Sequence, residues 1–150
     1  MQINLTLKDQ NGKEINLDEI KEMKILLSFH PLAWTSVCAK QMQILEKNYE
    51  KFLKLKTIPF GVSVDTVPSK KAWADNLKIK KLQMLCDFWP HGELAKKFKI
   101  FIEKFGFSGR ANFIIDENKE IIFKKIYPIK KLPDFNELLN FLKKKGGEKQ

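Results

Sequence analysis

The chain is poor in the residues that carry much of protein chemistry: among its 150 residues are two cysteines, two histidines and one arginine. Each shortage excludes something. Two cysteines, Cys38 and Cys86, cannot build the disulfide framework of a small secreted domain, and a reducing compartment keeps such residues as thiols, so reactivity is the question to ask of them. Two histidines without any paired CxxC or HxxxH spacing leave no zinc signature, and no metal site is expected. Long apolar runs are missing as well. Stretches such as Ile25 to Leu27 and Phe113 to Ile115 fall far short of the ~20 residues that a membrane-crossing helix needs. The N-terminus turns polar at Lys8, Asp9 and Gln10 and shows no apolar signal core or small-residue cleavage site, so the expected location is the cytoplasm.

The scarcity of arginine also bears on the net charge of +10, which comes from 28 Lys and Arg against 18 Asp and Glu. Readers of nucleic acid favour arginine for forked contacts, and single-strand binders add exposed aromatics on a basic face. Here 27 of the 28 basic residues are lysine, mostly interleaved with acids, and only the stretch from Lys119 onward, with nine lysines against four acids, carries a local excess. That pattern reads as a solvated lysine-rich surface, with neither a specific nucleic acid nor a membrane as partner.

What the chain does have is a globular composition, 43% hydrophobic and 31% charged, at the size of one domain spanning residues 1–150, with the tail 143–150 (KKKGGEKQ) expected to fray. Ile3 to Leu7 alternates apolar and polar, and Asp9-Gln10-Asn11-Gly12 supplies turn chemistry before Glu14 to Leu17, which predicts an N-terminal β-hairpin. Lys24 to Phe29 (KILLSF) is nearly all apolar, as in a strand buried on both faces. Cys38, Met42, Leu45, Tyr49 and Phe52 then recur at helical spacing and predict one amphipathic helix. Further strands are expected at Ile58 to Val64, Leu82 to Leu85, Arg110 to Asp116 and Glu120 to Ile126, and further helices from Val67, over Gly92 to Phe98 and over Pro133 to Lys145. Alternating strands and helices, closed by a hairpin, define an α/β fold with a central mixed β-sheet flanked by helices.

The informative segment is Pro31-Leu-Ala-Trp-Thr35-Ser-Val-Cys38, between the buried strand and the first helix. A helix start presents unpaired N–H groups and the positive end of the macrodipole, which favour a thiolate and lower a cysteine's pKa from about 8.5. Splitting an O–O bond further requires donors where charge develops on the departing oxygen. The Thr35 hydroxyl and the backbone N–H groups of Val37 and Cys38 stand at that helix start, while Pro31 stiffens the loop and, with Trp34, can shield the pocket from water. Taken alone, Cys38 on an apolar stripe is as readily a core residue. Its company decides for chemistry.

A proline, a threonine four residues on and a cysteine three further resemble the signature of the peroxiredoxins, and Pro31, Thr35 and Cys38 match it in spacing. The resemblance implies a thioredoxin-like fold and a peroxidatic Cys38, with an arginine from a distant strand reaching its sulfur; Arg110 in GRANFIID is the candidate. Composition supports this choice, because a lone arginine among lysines marks a place where a planar charged fork is needed. Gln41, three residues after Cys38, is placed to orient Arg110, or is a plain surface glutamine. The stretches Asp87-Phe-Trp-Pro-His-Gly92 and Phe29-His-Pro-Leu-Ala33 resemble the one-cysteine branch typified by alkyl hydroperoxide reductase E. That branch implies reduction of hydrogen peroxide and organic hydroperoxides, a sulfenic acid on Cys38 recycled by an external thiol or thioredoxin-like reductant, no cofactor, and a homodimer. Two alternatives stay open: Cys86 as the resolving thiol of a two-cysteine peroxidase, or a redox-sensing binding or chaperone protein. Cys86 also reads as a small core residue at a strand end.

Overall fold

A computed structural model of the chain describes residues 2–147. In chain order these residues form strands β1 (Thr6–Lys8), β2 (Glu14–Asn16) and β3 (Lys24–Phe29), then helices α1 (Ser36–Lys47) and α2 (Tyr49–Lys54). Strand β4 (Thr57–Ser63), helix α3 (Val67–Leu77), strand β5 (Gln83–Cys86) and helix α4 (Glu93–Lys97) follow. The remainder comprises β6 (Phe101–Ile102), β7 (Phe107–Ser108), β8 (Arg110–Ile115), β9 (Ile121–Tyr127) and α5 (Phe135–Gly147).

Seven of the strands make one sheet in the order β2-β1-β5-β4-β3-β8-β9. It is mixed: β3 pairs parallel with β4 and β4 with β5, whereas β8 runs antiparallel to both β3 and β9. The N-terminal hairpin, with Leu7 opposite Ile15, forms one edge and joins β5 only at Lys8 and Cys86. Strand β3 is central and buried along its whole length, as its apolar sequence requires.

Alternation along the strands divides the core into two layers. Ile25, Leu27 and Phe29 of β3 and Phe113 of β8 face one way and pack with Leu94 and Phe98 of α4 and its C-cap. Leu26 and Ile114 face the other and pack with Met42 and Leu45 of α1, Trp73 of α3 and Leu138 of α5. Helix α1 approaches the sheet closely over Gly61 of β4, where a Cβ would overlap Met42 Sδ.

The single helix expected from Cys38 to Phe52 is instead two. Asn48 separates them at φ −98° and ψ 9°, and its Nδ2 donates to Ile44 O at 2.9 Å. A short amide side chain that competes for backbone acceptors interrupts helical geometry without moving the apolar stripe off the core. At the other end, α5 begins at Phe135, not Pro133, and runs to Gly147, two residues past the expected Lys145. Lysines in a last helical turn, here Lys144 and Lys145, favour the negative end of the helix dipole, so this segment extends the helix. Residues 148–150 of the expected tail lie outside the described residues. The small β6–β7 hairpin had no signal in the sequence pattern.

Candidate active site

Strand β3 delivers the chain to the site. The His30 N–H still bonds to Val62 O at 2.9 Å, continuing the ladder with β4 for one residue, and Pro31 then ends it. Thr35 is the N-cap of α1, with extended backbone (φ −107°, ψ 151°), but its hydroxyl donates to Leu32 O at 3.1 Å rather than accepting from the helix. The first helical hydrogen bond is Ala39 N–H to Thr35 O at 2.9 Å, so the N–H groups of Ser36, Val37 and Cys38 precede the ladder. Cys38 sits in this first turn, fully buried, with its thiol free.

Arg110, the first residue of β8, stands one position beyond the Phe29–Ala111 pair and so just past the end of β3. Three groups hold it. Its Nε donates to Ile129 O at 2.9 Å, and its Nη1 lies 2.6 Å from Gln41 Oε1 and 3.3 Å from Cys38 Sγ. Gln41 is buried, one turn along α1 from Cys38, and its Nε2 donates to Ser28 Oγ at 2.7 Å and to Phe29 O at 3.2 Å. A cleft of about 230 Å³ lies over this arrangement, lined by Pro31, Thr35, Val37, Phe107, Arg110 and Ile129 among others. The four residues expected to act together, Pro31, Thr35, Cys38 and Arg110, are thus gathered around one helix start, and of the two readings of Gln41 the buried one that holds Arg110 is the one found.

Cys86 is elsewhere. It ends β5 opposite Ser63 of β4, and burial pushes its thiol up to about 11, which disfavours the thiolate needed for exchange. A larger hollow of about 420 Å³ opens beside it, lined mainly by hairpin residues, Val67, Pro68, Phe88 and Trp89. Size does not make that hollow the reaction site, because the guanidinium and the free helix-start N–H groups lie at the smaller one.

The back of the active-site loop is held by groups that the sequence reading did not select. Asp65 accepts from Ala33 N–H at 2.8 Å, and Trp34, itself in the left-handed region at φ 69°, donates from Nε1 to Ser69 Oγ at 3.2 Å. Lys70 of α3 is fully buried with its Nζ 2.6 Å from His30 Nε2 and 5.0 Å from the centre of the Trp73 ring. Burial brings the Lys70 ammonium down to about 8, against the opposing pull of Asp65. His30 is held well below its usual value, by burial first and by the Lys70 charge second, so a neutral imidazole accepts from the ammonium. Among the described residues, His30 Nδ1 is the buried side-chain polar atom left without a hydrogen-bond partner. A signal for Lys70 was present, since it falls with Trp73, Ala74 and Leu77 on the inward stripe of α3, where a lysine is out of place.

A thiol in the first turn of a helix, faced by a guanidinium and mounted on a mixed sheet between helices, defines a cysteine-based oxidoreductase of thioredoxin-like fold. The chain belongs to the AhpC/TSA family, whose model matches residues 2–124. It is 31% identical over 122 residues to alkyl hydroperoxide reductase E of Mycobacterium tuberculosis, spanning 81% of this chain and 79% of that protein. It is 33% identical over 141 residues to the chloroplastic peroxiredoxin Q of Arabidopsis thaliana, spanning 92% and 63%. Its fold superposes on the reduced 2-Cys peroxiredoxin of Plasmodium vivax with a TM-score of 0.88 at 22% identity, covering 97% of this chain and 80% of that one. The protein is accordingly a peroxiredoxin, a thiol-dependent peroxidase.

Proposed function

We propose that Cys38 is the peroxidatic thiolate and that it reduces hydrogen peroxide and organic hydroperoxides by the one-cysteine route. The Cys38 sulfur attacks one peroxide oxygen in line; an S–O bond forms as the O–O bond breaks, leaving a sulfenic acid on Cys38 and a hydroxide or alkoxide that takes a proton to become water or alcohol. Charge grows on the departing oxygen during this step. Arg110 and the free N–H groups at the start of α1 provide fixed donors for it, Thr35 orients the bound peroxide, and Pro31 shapes the loop. The observation that carries this reading is the 3.3 Å contact of Arg110 Nη1 with Cys38 Sγ, because it puts a permanent cation where the thiolate and the leaving oxygen both need one.

Recycling is assigned to an external thiol or thioredoxin-like reductant. It condenses with the sulfenic acid, releasing water, and a second thiol then frees Cys38 and leaves with the oxidising equivalents as a disulfide. The suppressed ionisation of Cys86 supports this over a two-cysteine cycle. Two unpaired cysteines fit a reducing cytoplasm. The exposed side chains of Trp34, Phe88, Trp89 and Phe105 provide apolar surface for the contact of a homodimer. The testing experiment is peroxide consumption with dithiothreitol as reductant: Cys38→Ser loses essentially all of it and Cys86→Ser retains it. A fully active Cys38→Ser protein overturns the assignment.

A further inference from the structure

Behind Gln41 the hydrogen bonds do not stop. Ser28 Oγ, which accepts from Gln41, donates to Asn112 Oδ1 at 2.7 Å. Asn112 Nδ2 donates to Tyr127 Oη at 3.3 Å, and the Tyr127 hydroxyl donates to Glu137 Oε1 at 3.2 Å. The file therefore runs from Arg110 through the sheet to α5, where Glu137 is half-exposed and Lys125 Nζ lies 2.8 Å from its other oxygen. Ser28, Asn112, Gln41 and Tyr127 are all buried.

The two ends impose one direction on everything between them. A guanidinium can only donate and an ionised carboxylate can only accept, so each neutral member must accept on the Arg110 side and donate on the Glu137 side. Gln41 consequently turns its carbonyl oxygen, and not its NH₂, towards the guanidinium. Tyr127 stays a donor because burial first, and the Glu137 charge with it, push the phenol up to about 12. Without the terminal acceptor, the Tyr127 hydroxyl is released to donate backwards to Asn112. Asn112 and Ser28 can then reverse in turn, and Gln41 loses its side-chain acceptor. Phe29 O continues to favour the working orientation of Gln41, so the amide is loosened and not inverted.

We propose that Tyr127 and Glu137 are positioning residues for the peroxide reaction, acting through Asn112, Ser28 and Gln41 to hold the Arg110 guanidinium against Cys38. The inference rests on the reading above that Cys38 and Arg110 carry the chemistry. It extends that site by a strand and a helix, to a surface carboxylate outside the cleft.

The test compares two single-turnover rates at neutral pH, oxidation of the reduced protein by hydrogen peroxide and alkylation of Cys38 by iodoacetamide, measured in a Cys86→Ser background. Alkylation needs the thiolate and access to it but no donor for a departing oxygen, so general structural damage moves both rates together. Tyr127→Phe and Glu137→Leu should each slow peroxide oxidation by about 3- to 10-fold, in the range of coupling within one hydrogen-bonded network, with alkylation nearly unchanged. Glu137→Gln, which keeps an acceptor, and Lys125→Met, which removes only the outer ion pair, should stay close to the parent. In a Gln41→Met background, where the file is already cut, Tyr127→Phe should add no further loss. Unchanged peroxide rates, equal losses in both reactions, or the same Tyr127→Phe loss without Gln41 each overturn the proposal. Failure of the underlying reading has a different signature: the parent protein itself then reacts with peroxide no faster than an ordinary free thiol.

Discussion

Arg110 Nη1 lies 3.3 Å from Cys38 Sγ while the Nε of the same guanidinium is tied to Ile129 O at 2.9 Å, so the cation at the sulfur is fixed from two directions. A lysine at this position keeps the charge and loses the fork, since one ammonium on a flexible stem cannot bridge the carbonyl, the amide and the sulfur together. Arg110→Lys is therefore expected to lower kcat/KM for peroxide by about 10²- to 10³-fold, the size of effect seen on removing one preorganised donor. Steady-state peroxide consumption checks this. A loss below about threefold would place Arg110 outside the chemistry.

Thr35 separates two roles for a hydroxyl. Its donation to Leu32 O fixes the loop, and Thr35 also lines the cleft together with Arg110. Thr35→Ser keeps the hydroxyl and should remain within a few-fold of the parent. Thr35→Val keeps the shape and loses the oxygen, and the peroxide rate should fall by about 10²-fold, with a change of no more than about 1 kcal/mol in stability from one partly exposed hydrogen bond. Equal rates for the two variants would show that the hydroxyl has no part in the reaction.

Buried Lys70 gives stability a pH dependence whose sign can be worked out. Its ammonium titrates near 8 in the folded protein and near 10.5 in the unfolded chain, so between these values the unfolded chain binds more protons and stability rises with pH. The full effect is on the order of 3 kcal/mol. Cys86 and Tyr127, both raised by burial, work in the opposite sense at alkaline pH, so the informative quantity is the difference from Lys70→Met. Urea unfolding from pH 7 to 10 should give a wild-type curve that climbs relative to that of the variant. Parallel curves would mean that the ammonium is not shifted by its burial.

Gly61 provides a packing prediction. A Cβ there would meet Met42 Sδ, and Met42 lies one turn along α1 from Cys38. Gly61→Ala forces that side chain or the helix to move, and overpacking of this kind costs about 1–3 kcal/mol. A lower urea midpoint at unchanged slope is the expected result.

The site was more legible in the sequence than the network around it, and the reason is physical. Pro31, Thr35 and Cys38 lie in one short loop whose spacing is visible in the chain, and Arg110 stood out because it has no other arginine beside it. The strands of the seven-stranded sheet were readable, most plainly β3 and β8, whose apolar runs are buried on both faces. Asn48 broke the expected helix because a local side-chain bond to Ile44 O competes with a periodicity that continues unbroken through it. Ser28, Asn112, Tyr127 and Glu137 had no sequence signal at all: they are joined across β3, β8, β9 and α5, and only the pairing of Ser28 with Asn112 in the sheet brings the first two together. Lys70 and His30, 40 positions apart, meet for the same reason, through the packing of α3 against the end of β3.

Every role assigned above depends on Cys38 reacting with peroxide as a thiolate and returning through an external thiol. Stopped-flow tryptophan fluorescence of the reduced protein with hydrogen peroxide, followed by intact mass after thiol blocking, tests it most directly, with Trp34 close to the reacting loop as reporter. The expected result is rapid oxidation that leaves one added oxygen on Cys38 and an unmodified, blockable Cys86. Oxidation no faster than that of an ordinary cysteine would contradict the assignment of Cys38, and loss of two hydrogens with both thiols protected from blocking would contradict the one-cysteine route.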